Sequence, residues 1–434
     1  MLSVVALWIY NGQIQKFHTD PYTGAARLIG LIAADLLLIQ VLLMARVPVI
    51  ERSFGQDELA RRHRLVGFWS FNLLVLHIVL IIIGYAGGPA AVVDNGVHTV
   101  VDLTLNYPGM LLAVVAFGLL VMVVITSIRM ARAKLRYENW HLLHLYAYLG
   151  VGLSIPHEIW SGADFTASKP ARLYWWTMYA AAAGAVIVYR IILPMLRTRR
   201  HQLVVDQVVE EAPGMYSVYM RGHQLHRLRA QAGQFFNWRF KDGPGWTAAN
   251  PYSLSAAPSR DLLRITVKDQ GDGSSRAGYL RPGTPVIIEG PYGRLTGDVR
   301  TQSKVTLIAS GIGVTPLRAL LEGLDYRPGD ATLIYRARNA ESIAFEAELN
   351  ELADRRGAQI FYSVGPRLAV DEPTWLPQSA AHLSDDEALL QLVPDIARHD
   401  VYICGAPAWM DAAADAARAA GVPAEQIHLE RFSW

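Results

Sequence analysis

The chain has 434 residues, 52% of them hydrophobic, with 40 Lys and Arg against 38 Asp and Glu. A formal charge of +2 leaves no basic surplus for nucleic acid. The apolar share exceeds that of an ordinary soluble protein, so part of the chain belongs in a lipid bilayer. The single cysteine, Cys404, excludes intrachain disulfides, a Cys-ligated zinc site and a four-Cys iron–sulfur cluster.

The opening "MLSVVALWIY" is apolar but only about half a membrane span. It has neither a basic start nor a small-residue cleavage site, which argues against a signal peptide and for a truncated first helix or an interfacial stub. Residues 25 to 197 then hold five long apolar runs, each near the ~20 residues a spanning helix needs. Basic residues cluster at 46–64 (Arg46, Arg52, Arg61, Arg62, Arg64), at 129–136 (Arg129, Arg132, Lys134, Arg136) and at the exit of the last run (Arg190, Arg197, Arg199, Arg200). The intervening segment 87–107 has no Lys or Arg and reads as an outer loop, in which Asp94 and His98 are solvated. The positive-inside tendency puts the basic segments, and the half that follows, in the cytoplasm. The expected location is the plasma membrane, crossed several times.

Ionisable side chains inside lipid are costly and usually have a partner or a task. Two runs carry histidines in matched pairs, His63 with His77 and His144 with His157, and His141 is an extra candidate. Fourteen residues of helix separate His63 from His77 by about 21 Å and only about 40° around the axis. Thirteen residues put His157 about 19.5 Å beyond His144. His63 is then level with His144, and His77 with His157, which makes two stacked sites with one imidazole from each helix. Paired axial imidazoles suit a b-type haem. No CxxCH is present for covalent attachment, and zinc would want four ligands. An ideal helix leaves His144 and His157 about 140° apart, so a kink or altered winding at Gly150, Gly152 or Pro156 is expected. Trp69, Asp35 and Arg61, Arg62 and Arg64 read first as a packing aromatic, an interhelical polar contact and topological charges.

From about residue 199 the pattern changes. Residues 199 to 297 alternate and break at Gly and Pro, as in a small antiparallel β-barrel. Residues 302 to 434 alternate strand and helix, as in a parallel sheet covered on both faces. Three parts are expected: 1–198 in the membrane, 199–298 as the barrel and 299–434 as the α/β domain. In "SGIGVTPLRALL", Gly311 and Gly313 stand where strand turns to helix, the place where backbone N–H groups can meet a pyrophosphate, although the full GxGxxG is absent.

The order "NPYSLS", "VKDQGDGSS", "EGPYGRLT", "ASGIGVTP", "YICGAPAWM" and "HLERFSW" resembles the ferredoxin–NADP reductase superfamily. With the paired membrane histidines, nearly the whole chain is similar to the NADPH oxidase and ferric reductase group of transmembrane haem proteins. The resemblance implies FAD, two b-type haems held by His63, His77, His144 and His157, and NADPH. It places Asn250, Pro251, Tyr252 and Ser253 at the flavin, with Tyr252 stacked on the ring and Ser253 near its N5. Asn250 stands where the family usually has a basic residue. Lys268, Gly273, Ser274 and Ser275 would meet the FAD pyrophosphate, and Gly290, Pro291, Tyr292 and Gly293 would close the flavin site. Gly311, Gly313, Thr315 and Pro316 would line the dinucleotide pocket, with Cys404 and Gly405 near the nicotinamide. The family's CGP is interrupted here by Ala406. Trp434, or else Phe432, would cover the flavin face, with Glu430 supporting that tail. Arg336 and Arg338 would read a 2′-phosphate, which favours NADPH over NADH.

The expected activity is electron transfer from cytoplasmic NADPH to an acceptor on the outer side, dioxygen giving superoxide or else a ferric chelate. Two rivals remain: a haem-free flavin reductase anchored by its helices, and an ion-conducting protein with a regulatory nucleotide-binding domain.

Overall fold

The structure, a computed structural model, describes residues 1–128, 137–271, 273–368 and 374–431. It divides into two compact units, Met1–Val47 with Glu58–Tyr189, and Pro48–Asp57 with Arg190–Trp434.

The first unit is helical. Two short helices, α1 (Leu2–Tyr10) and α2 (Gln13–Thr19), precede α3 (Pro21–Met44). After α4 (Pro48–Phe54), which belongs to the second unit, come α5 (Gln56–Ala86), α6 (Val92–Asn106), α7 (Met110–Ser127), α8 (Tyr137–Trp160) and α9 (Lys169–Val186). A π-helical turn, Ile187–Ile192, carries α9 on into α10 (Leu193–His201). The starts follow local chemistry. Asp20 accepts from the Thr23 amide at 3.1 Å ahead of Pro21, and Ser168 accepts from the Ala171 amide at 3.3 Å ahead of Pro170.

Among the described residues, four helical stretches are long and apolar enough to cross a membrane: Pro21–Met44, Gln56–Ala86, Met110–Ser127 and Lys169–His201. The fifth expected span, α8, has 24 residues but is less apolar, because it holds His141, His144, His157 and Glu158. It runs unbroken through Pro156. Large apolar side chains such as Leu65, Phe68, Val79 and Leu111 are exposed, the surface a lipid solvent covers. The segment read as an outer loop is instead largely the helix α6. The basic cluster at 129–136 lies outside the described residues.

The second unit is built on three sheets. Strands β1 (Val204–Ala212), β2 (Met215–Arg221) and β5 (Leu262–Lys268) form one antiparallel sheet. A second has the order β4 (Asn250–Ser253), β3 (Phe235–Phe240) and β6 (Val286–Tyr292). Their inner faces share a core of Val218, Met220, Phe236, Trp238, Ile265 and Ile288. The expected closed barrel is therefore corrected to two three-stranded sheets. Among the described residues their edges meet only in short stretches, at the bridges Val204↔Pro285 and Leu254↔Ile265 and a few main-chain hydrogen bonds beside them, so no continuous ladder closes the circuit.

The third sheet is parallel, with the order β11 (Ile427–Leu429), β10 (His399–Cys404), β7 (Lys304–Ser310), β8 (Ala331–Ala337) and β9 (Gln359–Val364). Its strands are covered on both sides, so β8 is buried at every position. Alternation sends Leu307 and Leu333 toward α11 (Val314–Gly323) and α12 (Glu346–Arg356). Ile308 and Ile334 point the other way, toward α13 (Asp385–Leu392) and α14 (Pro407–Ala419). Arg264 on β5 ion-pairs with Glu348 of α12 at 2.9 Å, and Arg318 of α11 shares that carboxylate. The antiparallel sheets and the parallel sheet are thereby tied within one unit.

Candidate functional site

In the helical unit the structure brings His63 and His144 together. Their ring centroids are 6.0 Å apart with planes at 67°. Two imidazole nitrogens at about 2 Å on opposite sides of one metal ion put the ring centroids roughly 6 Å apart. The His63 Nδ1 lies 3.2 Å from the Gln40 carbonyl, and the His77 Nδ1 lies 2.8 Å from the Ala26 carbonyl. Both acceptors are on α3, spaced by the same fourteen residues as the histidines. A carbonyl can only accept, so each Nδ1 carries the proton and each Nε2 is left as the ligating atom.

Close backbone approach makes room for this. A Cβ on Gly30 would sit 2.6 Å from the His77 Nδ1, so α3 can reach that ring only through glycine. Gly109, at φ +80°, packs its backbone on that of His157, where a Cβ would come within 2.7 Å of the amide nitrogen. His144 has its Nδ1 3.3 Å from the Ser127 Oγ and is flanked by Trp140, at 5.1 Å between centroids. The His157 Nδ1 is buried without a hydrogen-bond partner. Among the described residues no group of three or more His, Cys, Asp or Glu could hold a metal ion. The His63–His144 imidazole pair fits a haem, which these two residues would hold.

Other polar groups in this unit have local partners. Asp35 accepts from the Tyr174 hydroxyl at 2.7 Å, an interhelical contact of the expected kind. Arg61 and Arg62 bond to Glu58, and Trp69 is exposed beside Phe68.

In the second unit, β4 carries the flavin motif. Its register on β3 pairs Tyr252 with Phe236 and Ser253 with Phe235. The Tyr252 carbonyl accepts from the Trp238 Nε1 at 2.9 Å, and burial pushes the Tyr252 phenol up to about 12. The Ser253 hydroxyl is buried and has no partner, the mark of a polar atom arranged for a ligand. Gly273 lies where a Cβ would meet the Asn250 Oδ1 at 2.8 Å, and Ser274 closes its turn by accepting from the Gln270 amide. Lys268 ends β5, and Ser275 begins a short 3-10 turn. In the "GPYG" stretch, Gly290 and Gly293 have φ of +144° and +98°, and Tyr292 donates to Glu289 at 3.0 Å. Arg190 ion-pairs with Glu289 at 3.0 Å, and Arg197 donates to the Gly290 carbonyl. Both arginines read from sequence as topological charges, and nothing in their spacing shows that they brace this strand.

The residues expected at the dinucleotide meet where β7 and β10 end side by side, the crevice in which open parallel sheets bind ligands. Gly311 has φ +54°, and a Cβ on Gly313 would lie 2.2 Å from the Cys404 carbonyl. Thr315 donates to the Ile312 carbonyl at 2.9 Å, and Pro316 is buried in the first turn of α11. Cys404 is fully buried, which pushes its thiol well above the usual range. Gly405 leaves room for Trp409 and Ser310. Arg336 is buried and donates to the carbonyls of Ala337, Ser363 and Pro366, whereas Arg338 is exposed. Glu430 accepts from the Arg294 and Leu295 amides, each at 3.3 Å. Burial and the nearby Asp57 carboxylate raise its pKa to about 7. Trp434 and Phe432 lie outside the described residues.

The family described as ferric reductase like transmembrane component matches residues 29–155, and that of the oxidoreductase NAD-binding domain matches residues 307–415. Ferredoxin–NADP reductase B of Sorangium cellulosum is 32% identical over 213 residues, covering 46% of this chain and 85% of that protein. By its reductase half the chain belongs to the ferredoxin–NADP reductase family, and residues 29–155 match the ferric reductase-like transmembrane component. This oxidoreductase joins a ferric reductase-like membrane component to a ferredoxin-reductase-type FAD/NAD-binding module. It is also 32% identical over 242 residues to the ferredoxin reductase component of a 3-ketosteroid-9-alpha-monooxygenase from Mycolicibacterium smegmatis, covering 53% of this chain. It spans 65% of that relative's length. The FAD/NAD-binding domain of a nitric oxide dioxygenase from Vibrio cholerae aligns with a TM-score of 0.43 and 24% identity, over 54% of this chain and 99% of that one.

Proposed function

We propose that this oxidoreductase takes electrons from cytoplasmic NADPH, by way of FAD and two b-type haems, to an acceptor on the outer face of the plasma membrane, dioxygen first. The observation that carries the reading is the His63–His144 pair, 6.0 Å between rings, with the His63 Nδ1 on a carbonyl of α3. Bound haem supplies a one-electron couple within lipid. The chain's own part is to present Nε2 of His63 and His144 at one level and of His77 and His157 at the other. The domain boundaries 1–198, 199–298 and 299–434 belong to this proposal.

In the reductase unit, Tyr252 provides a stacking face and Ser253 a donor or acceptor for the flavin. Asn250, Pro251, Lys268 and Gly273 to Ser275 border its phosphates, and Gly290 to Gly293 close over it. Gly311, Gly313, Thr315, Pro316, Cys404 and Gly405 border the dinucleotide, and Trp434 or Phe432 covers the flavin until nicotinamide arrives. Arg338 reads the 2′-phosphate; Arg336, occupied by three carbonyls, shapes the strand end beside it. Arg338→Ala is expected to raise the KM for NADPH roughly ten- to a hundredfold, the loss of one charge-assisted contact, and to leave NADH turnover unchanged.

An absorbance spectrum of the purified protein tests the whole reading. A b-type Soret band together with flavin absorbance is expected, and flavin absorbance alone would sink it. NADPH consumption with oxygen and then with ferric chelate, scored for dismutase-sensitive superoxide, identifies the acceptor.

A further inference from the structure

We infer that α6 lies in the plane of the membrane interface, with one face seated among lipid acyl chains. The inference stands on the membrane helices alone and goes beyond the haem reading. At 15 residues α6 is about 22 Å long, short of the ~30 Å hydrocarbon core, so it does not span. Chain continuity nevertheless pins both its ends to the membrane. It begins six residues after α5 ends at Ala86 and stops four residues before α7 begins at Met110. Tyr85 and Tyr107 meet edge to face at 5.9 Å, and Ser161, just past the end of α8, donates to the Pro108 carbonyl at 2.6 Å. The ends of α5, α7 and α8 therefore gather at the carboxyl-terminal foot of α6, and aromatic rings at that level suit the boundary between lipid and water.

The surface of α6 has three sectors. Gly96, Thr99 and Leu103 share one face and are buried against the bundle. Roughly 80° to 180° around the axis from Val92 lie Val93, Val97, Val100 and Val101. These are exposed, Val93 at 87% and Val97 at 82%. Thr104 also falls within that sector, and the remaining arc carries Asp94, Asn95, His98, Asp102 and Asn106 with the exposed Leu105 among them. A helix lying in water would not sustain a bare valine face beside a polar one, whereas a helix at an interface needs both. A second observation points the same way. A shallow, open and almost entirely apolar depression is lined by Ile82 of α5 with Val92, Gly96, Val97, Val100 and Val101. It has the chemistry of an acyl chain and offers nothing to a polar ligand. The helix has no Lys or Arg, so the attraction is to hydrocarbon and not to anionic headgroups.

The test uses the full chain in phosphatidylcholine vesicles, spin-labelled one site at a time at V97C, V93C and N95C; Cys404 is buried, and the parent protein measures its background. Power saturation with oxygen and with a water-soluble nickel chelate is expected to show Val97 and Val93 at least fivefold richer in oxygen contact relative to nickel than Asn95. Equal ratios would place the valines in water and overturn the inference. So would spin–spin broadening that vanishes on dilution with unlabelled protein, which would assign the face to a second copy, or low access to both reagents, which would bury it in protein. All three positions are exposed, and the haem spectrum of each labelled protein checks its folding.

Discussion

Glu430 is a buried carboxyl whose pKa stands at about 7, against an ordinary 4.5. Between those two values the folded chain holds a proton that the unfolded chain has released, so stability falls as pH rises through this window. Glu430→Gln is expected to remove that slope: heated at pH 8, the variant should release its flavin at a higher temperature than the parent, and at pH 4.5 the two should coincide. Gly30 is the other residue whose side chain, by its absence, sets a geometry. Gly30→Ala would push the His77 ring off the Ala26 carbonyl, an overpacking that costs on the order of 1–3 kcal/mol. Its expected signature is a weakened or shifted haem signal from the His77 level, with NADPH-to-flavin reduction unchanged. Difference spectra at graded potentials would detect it, and an unaltered spectrum would show that the close contact is not needed.

Among the elements, Gly313 matters because β7 and β10 end against each other there. A methyl group 2.2 Å from the Cys404 carbonyl must drive the two main chains apart. Gly313→Ala is therefore expected to slow flavin bleaching by NADPH at least tenfold in a single turnover and to leave the haem spectrum intact. Most of the elements are legible in the sequence: the apolar runs become α3, α5, α7 and α9, and the alternating segments become strands. Those that are not legible have physical reasons. Strand β4 is "NPYS", whose Pro and Asn disfavour a strand, and it forms because β3 offers it a partner. Helix α6 interleaves Asp and Asn with its valines and carries no Lys or Arg, so its pattern reads as a loop. The open edges between the two antiparallel sheets depend on register, which no local pattern reveals. At the site, histidine spacing was readable because both rings sit on regular helices. The carbonyls of Ala26 and Gln40 were not, since a main-chain acceptor leaves no mark in the residue type.

For the molecule as a whole, the two histidine levels make separable predictions. His63→Ala should let NADPH reduce the flavin and nothing beyond it. His77→Ala and His157→Ala should each remove the signal of the other level and spare flavin reduction. Spectra after stopped-flow mixing with NADPH check both, and a full two-haem spectrum in all three variants would overturn the ligand assignment.

The ten residues Pro48–Asp57 have a different consequence. They fall in sequence between two membrane helices, yet they pack with the reductase unit, where the Asp57 carboxylate accepts from the Arg431 amide at 3.2 Å and Gly55 abuts the Arg294 side chain. The reductase is thus not a cassette that can be lifted out at residue 190 and grafted onto a foreign anchor. A transplant beginning there would leave behind a short piece of its own interior, lodged in someone else's loop, and the carboxyl end of the chain would lose one of its moorings.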